Sequence, residues 1–148
     1  MTKSKPIWGA PELDTHFMKC PTVLIKNAWE LGLSPQHIAF VLGVKTFAFQ
    51  KPVAQVSWAL LSLRLGVSKD TVRRWGNQLK HMRPPESLAD SMVKSGYEAE
   101  TYLDVIPRFT EPPPQLIDKQ LNQVSDANEF DFSGLEQAMV FIRNRDKK

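Results

Sequence analysis

The chain has a single cysteine, Cys20, so no disulfide can close within it, and a lone thiol fits a reducing compartment. Cys20 stands in an apolar context and is expected to pack as a small side chain. The three histidines, His16, His37 and His81, lack metal-ligand spacing, and one cysteine cannot make a zinc cluster. The seven glycines form no GxxxxGK[ST] phosphate loop. No nucleophile, base and orienting group fall into a recognisable pattern, so the expectation is a non-enzyme without cofactor or metal. No run approaches the ~20 apolar residues that cross a bilayer. The start, MTKSKPIWGAPELD, lacks the apolar segment of a secretory signal, which points to the cytoplasm.

What is present is unevenly distributed. The net charge of the 148 residues is only +3. Residues 45–83, however, carry Lys45, Lys51, Arg64, Lys69, Arg73, Arg74, Lys80 and Arg83 against Asp70 alone, a local balance of +7. Residues 1–44 stand at +1 and residues 84–148 at −5. A positive field confined to one segment attracts phosphates and releases counterions, while the acidic remainder repels them.

That segment contains Ser57 to Leu79, SWALLSLRLGVSKDTVRRWGNQL, which reads as two short helices joined by a tight turn. Leu60, Leu61 and Leu65 give the first helix an apolar face, and Ser57 caps it. Gly66 supplies the turn, Val67 plugs the angle, and Ser68 is placed to N-cap the second helix. Asp70 suits the first turn, where the helix dipole favours an anion. In the second helix Val72, Trp75, Leu79 and Met82 fall on one buried stripe. Lys69, Asp70, Arg73, Arg74, Asn77, Lys80 and His81 fall elsewhere and are expected to face solvent. Arg and Lys donate to guanine O6 and N7, Asn pairs with adenine, and Thr71 suits a phosphate or a thymine methyl. Trp29, Trp58 and Trp75 are most simply core residues. Trp58 is alternatively placed beside a phosphate as an indole N–H donor.

Around this motif the chain divides into four parts. Residues 1–16 read as a flexible arm, with Trp8 able to dock. Pro21 to Leu31 reads as a helix or near-helix, with Val23, Leu24, Ala28, Trp29 and Leu31 as candidate core residues and Gly32 as its end. Ser34-Pro35 opens a helix running to about Ala48, with His37 on its polar side. Val53 to Val56 suits a short strand. After Pro84-Pro85, Tyr97, Ala99, Thr101, Leu103 and Val105 alternate like a strand. Leu88 to Val93 reads as its hairpin partner or as a helical turn ending at Gly96; the hairpin is the favoured reading. Glu111 to Pro114 is a stiff linker, residues 115–131 are polar, and Ser133 to Asn144 is a terminal helix with Phe132, Leu135, Met139 and Ile142 on one stripe.

From Phe17 onward the order of features resembles the winged-helix domain of phage and plasmid replication initiators and related mobile-element proteins. The resemblance rests on Phe17 and Pro21, on Leu33-Ser34-Pro35, on SWALLSLRLGVSKDTVRRW, and on Tyr102-Leu103-Asp104 ahead of Pro107 and Phe109. It covers residues 17–109. It implies that Lys69, Arg73, Arg74 and Asn77 carry base or phosphate contacts and that Lys94 sits at a wing tip. The chain departs from the pattern at Arg83-Pro84-Pro85-Glu86, where a Gly-hydrophobic pair usually leads into a basic wing.

The expected fold class is therefore mainly α with a small β-hairpin: an arm (1–16), a winged helix-turn-helix (17–109), a Pro-rich and polar linker (110–131) and a C-terminal amphipathic helix (132–148). The candidate DNA-binding set is Ser57, Trp58, Ser68, Lys69, Thr71, Arg73, Arg74, Asn77, Lys80, His81 and Lys94. The expected partner is double-stranded DNA, bound in replication initiation, conjugative DNA processing or transcription regulation. A homodimer on a repeated half-site and a protein partner on the C-terminal helix are further partners, with no membrane. The competing reading is a protein-docking adaptor that uses the same fold and its acidic C-terminal segment.

Overall fold

A computed structural model of the chain describes residues 20–47, 53–98, 100–108 and 127–147. The arm over 1–16 with Trp8, the wing-closing Phe109 and the Glu111–Pro114 linker lie outside the described residues. What is described is mainly helical with one small antiparallel sheet.

The helix expected over 21–31 is two short helices, α1 (Thr22–Lys26) and α2 (Ala28–Leu31), broken at Asn27. Asn27 leaves helical geometry at φ −114°, and its amide donates to Glu30 Oε1 at 3.3 Å. Asn competes with the helix in this way because its side chain offers neighbouring groups an alternative partner. The break sorts the side chains: Leu24 and Leu31 are buried, while Ile25 and Trp29 point out. Trp29, expected in the core, is 95% exposed. Cys20, expected to be packed, is exposed just ahead of α1. Gly32 ends α2 in the left-handed region at φ 73°.

α3 (Pro35–Lys45) starts as the Ser34-Pro35 signal predicts and stops three residues short of Ala48. β1 (Val53–Val56) follows, then α4 (Trp58–Leu65) and α5 (Lys69–His81). Both motif helices are capped as the sequence implies. Ser57 Oγ accepts from the Leu60 N–H at 3.0 Å, and Ser68 Oγ accepts from the Thr71 N–H at 3.1 Å. Caps of this kind contribute about 1 kcal/mol each. Gly66 makes the turn at φ 69°, a conformation that costs a side-chain-bearing residue strain.

Beyond α5 the structure departs from the expected hairpin. Residues 86–94 form a helix, α6 (Glu86–Lys94), which buries Leu88 and Met92 one turn apart. The strand expected over 97–105 overlaps the observed strand, β2 (Asp104–Arg108), only at Asp104 and Val105. Tyr102, just before it, is fully buried; its hydroxyl donates to the Leu31 carbonyl at 2.9 Å, and burial raises its pKa.

β3 (Ala127–Asp131) falls in the segment read as polar linker, yet it is the central strand. The sheet order is β1–β3–β2, antiparallel throughout, with Phe130 opposite Ala54 on one side and Val105 on the other. α7 (Ser133–Asp146) follows after one residue and packs against α1. It is a built-in part of the core, burying Leu135, Ala138, Phe141 and Ile142, with Met139 half-buried. Its first turn presses on the segment before β2: a Cβ at Gly134 would lie 1.9 Å from the Thr101 carbonyl oxygen. The C-terminal helix and β3 therefore belong to the same packed unit as the motif helices.

At the centre of that unit three rings meet. Phe40 of α3, Trp58 of α4 and Phe130 of β3 have centroids 5.0–6.1 Å apart, two of the pairs edge-to-face. α5 lies directly on them through Gly76. A Cβ there would come within 2.6 Å of the Trp58 ring and 3.1 Å of Phe40.

Gly76→Ala therefore sets two effects against each other. Alanine improves helix propensity by about 1 kcal/mol, but it forces two rigid aromatic rings to move, which typically costs 1–3 kcal/mol or more. The expected outcome is a net loss of stability, read as a lower midpoint in urea denaturation.

A second prediction concerns acid. Arg145 of α7 grips Glu30 of α2 through both guanidinium Nη atoms, at 2.5 and 2.8 Å. This pairing holds the Glu30 carboxyl below the usual carboxylate range. A lowered folded pKa contributes stability above the unfolded value, and that stability is lost as pH falls through the folded pKa. Stability of the wild-type chain should fall more steeply below about pH 4.5 than that of Glu30→Gln. At neutral pH the pair is partly exposed and is worth less than about 1 kcal/mol. Urea midpoints measured from pH 7 to pH 3 check both statements.

Candidate nucleic-acid interface

The interface is built by the way α5 is seated. Val72, Gly76 and Leu79 are buried, and Trp75 is half-buried beside them. Burial at i, i+4 and i+7 fixes the rotation of the helix about its axis. Two exposed rows result. Lys69, Arg73, Asn77 and Lys80 follow one another at spacings of four, four and three. Arg74, Gln78 and His81 form the adjoining row. All seven are exposed.

The charges on this face are available. Asp70, the acid in the first turn, approaches Arg73 only at 3.9 Å, and both side chains are largely solvated. Such a pair contributes little and does not occupy the guanidinium. Between Asp70, Arg73, Arg74, Asn77, Gln78 and His81 the surface forms a shallow hollow. Thr71 is half-buried, its hydroxyl 2.8 Å from Ser68 Oγ, and Ser68 is exposed at the helix start.

Three candidates do not join this face. Ser57 is 0% exposed, and its hydroxyl is taken up by the α4 cap. Trp58 is 8% exposed and forms part of the aromatic centre, so of its two alternatives the core one holds. Lys94 is exposed, but in the last turn of α6 and not at the tip of a hairpin. The physical reason is common to the first two: a helix start that follows directly on a core strand is itself inside.

Three residues matter here that the sequence reading missed or misplaced. Arg64, in the last turn of α4, lies 3.7 Å over the Phe47 ring and donates to Thr46 Oγ1 at 2.8 Å. It adds an ordered cation beside the turn. His37, expected on a polar face, is buried at the start of α3. Its Nε2 lies 2.8 Å from Gln78 Oε1, which ties α3 to α5. The signal that was available is Ser34-x-x-His37, an N-cap residue with a polar partner at N3.

Elsewhere on the surface Arg83, Glu98, Glu100, Asp104 and Asp131 line a polar hollow. An apolar groove of about 490 Å³ runs between α1, α3 and α7, lined by Val23, Leu24, Val41, Leu42, Met139 and Val140 among others. Among the described residues no three His, Cys, Asp or Glu side chains converge as a metal site. No helix among them is long and apolar enough to cross a membrane.

No family model, no curated protein and no solved structure matches the chain.

Proposed function

We propose that this chain is a winged-helix protein that binds double-stranded DNA, with α5 as the recognition helix in the major groove. The observation that carries the reading is the outward face of α5: Lys69, Arg73, Arg74, Asn77 and Lys80 exposed, with only Asp70 against them. A helix about 10–12 Å across fits the major groove, and these side chains are the ones that read base edges and phosphates there. The order of elements supports the fold assignment. A helix, a strand, two motif helices and two further strands in the sheet order β1–β3–β2 are what a winged helix requires. In this reading α6 (Glu86–Lys94) is an insertion between the recognition helix and β2. The sequence resemblance to replication initiators supports a task in replication initiation, conjugative DNA processing or transcription control, in the cytoplasm. A homodimer on a repeated half-site would supply the specificity that one helix lacks.

A second reading, a protein-docking adaptor, is favoured by the apolar groove along α7 and by Trp29, which stands in solvent. The two readings part on charge. An adaptor working through α7 tolerates reversal of Arg73 and Arg74; a DNA-binding protein does not.

The test is fluorescence anisotropy with a short labelled duplex of random sequence, titrated across salt. Wild-type protein should bind at micromolar concentration or tighter at low salt and release steeply as salt rises. Arg73→Ala with Arg74→Ala should keep the fold, lose most of the affinity, and flatten the log–log salt slope by about one for each phosphate contact removed. An unchanged slope would place binding on another surface.

A further inference from the structure

We propose that Gln78 is a fixed hydrogen-bond donor to the DNA phosphate backbone, held in that role by His37. The inference rests on the DNA-binding reading of α5 and assigns the second exposed row of that helix.

The Ser34 backbone N–H lies 3.3 Å from His37 Nδ1 and can only donate, so Nδ1 accepts. The Ser34 hydroxyl, 2.8 Å from the same nitrogen, is then turned to donate as well. A neutral imidazole whose Nδ1 accepts carries its proton on Nε2. That proton points at Gln78 Oε1, 2.8 Å away. The amide oxygen of Gln78 is thereby used inside the protein. Its amide nitrogen has no partner among the described residues, and the residue lines the hollow with Arg74, Asn77 and His81.

This has a consequence for what Gln78 can recognise. A glutamine reads adenine with both ends of its amide, accepting from N6 and donating to N7. His37 takes one of the two lone pairs of that oxygen and fixes the amide plane, so bidentate pairing is left only to a base that comes to that plane. The amide nitrogen is a donor with restricted freedom, matched to an acceptor-only group. Arg74, one turn before Gln78, adds a cation on the same row, so a phosphodiester oxygen is the acceptor that fits. Asp70, the acid at the rim of the hollow, is two turns away. α5 is thus divided: Lys69, Arg73, Asn77 and Lys80 read the groove, and Arg74 with Gln78 grips its edge. His37 is the positioning residue, and through it the start of α3 sets where the backbone is held.

The experiment compares Gln78 variants on the random-sequence duplex. Gln78→Ala should weaken binding about tenfold, the usual scale for a hydrogen bond to a charged group, with the salt slope unchanged because a neutral contact displaces no counterion. Gln78→Lys should bind at least as tightly as wild type and steepen the slope by about one. A residue needed only to hold His37, or one that reads a base, would lose affinity in both variants, and that result overturns the proposal. His37→Phe should weaken binding as Gln78→Ala does, with no further loss when the two are combined. Nitrogen-15 spectra of the free protein should show the His37 proton on Nε2; a proton on Nδ1 removes the premise. Wild-type affinity in Gln78→Ala, alongside lost affinity in the Arg73→Ala, Arg74→Ala protein, would overturn the Gln78 assignment and leave DNA binding standing. No binding by wild-type protein would overturn both.

Discussion

The contact between Gly76 and the Trp58 ring sets the geometry on which the rest depends. It brings the backbone of α5 closer to the aromatic centre than any side chain would allow. Because Phe40, Trp58 and Phe130 come from α3, α4 and β3, that single contact references the helix to three other elements at once. Close-packed rings do not yield by small amounts. The rotation of α5 is therefore a property of the core, and the two exposed rows are its consequence.

Around this centre polar ties fix the elements that the core alone would leave free. The His37–Gln78 bond joins the start of α3 to the last turns of α5. Tyr102 anchors the approach to β2, its hydroxyl on the Leu31 carbonyl and its N–H on the Met82 carbonyl, so the ends of α2 and α5 are held by one residue. Arg145 ties the end of α7 to α2. Ties of this kind add little stability each, but buried ones specify one arrangement because the alternative leaves a polar group unpaired. The charge on the α5 face costs the fold nothing comparable, since those side chains stay in water.

What could be read from the sequence was whatever local chemistry decides. The Ser57 and Ser68 caps, the Gly66 turn, the Ser34-Pro35 start and the buried stripe of α5 follow from residues within four positions of one another. The strand over Val53–Val56 and the outward row of cations were legible for the same reason. What was not legible depends on distant partners. β3 has one strongly apolar residue, Phe130, and buries Asn128 beside it; only its place between β1 and β2 makes it a strand. α6 is ambiguous in sequence because Leu88 and Met92 suit either period until their burial in the core decides. An unbroken helix over 21–31 would place Trp29 in the core, and the break at Asn27 turns it out. His37 and Gln78 are forty-one residues apart, and nothing near either one announces the other.

In the proposed function α5 meets DNA with the face that Gly76 and Trp58 fix. The most direct measurement is an amide chemical-shift map of the full chain titrated with a short duplex at low salt. The account predicts that the largest shifts fall on Ser68 to His81 and on the side-chain amides of Asn77 and Gln78, while α1, α2 and α7 stay still. Shifts centred on Trp29 and the α7 groove, or none at all, would contradict it.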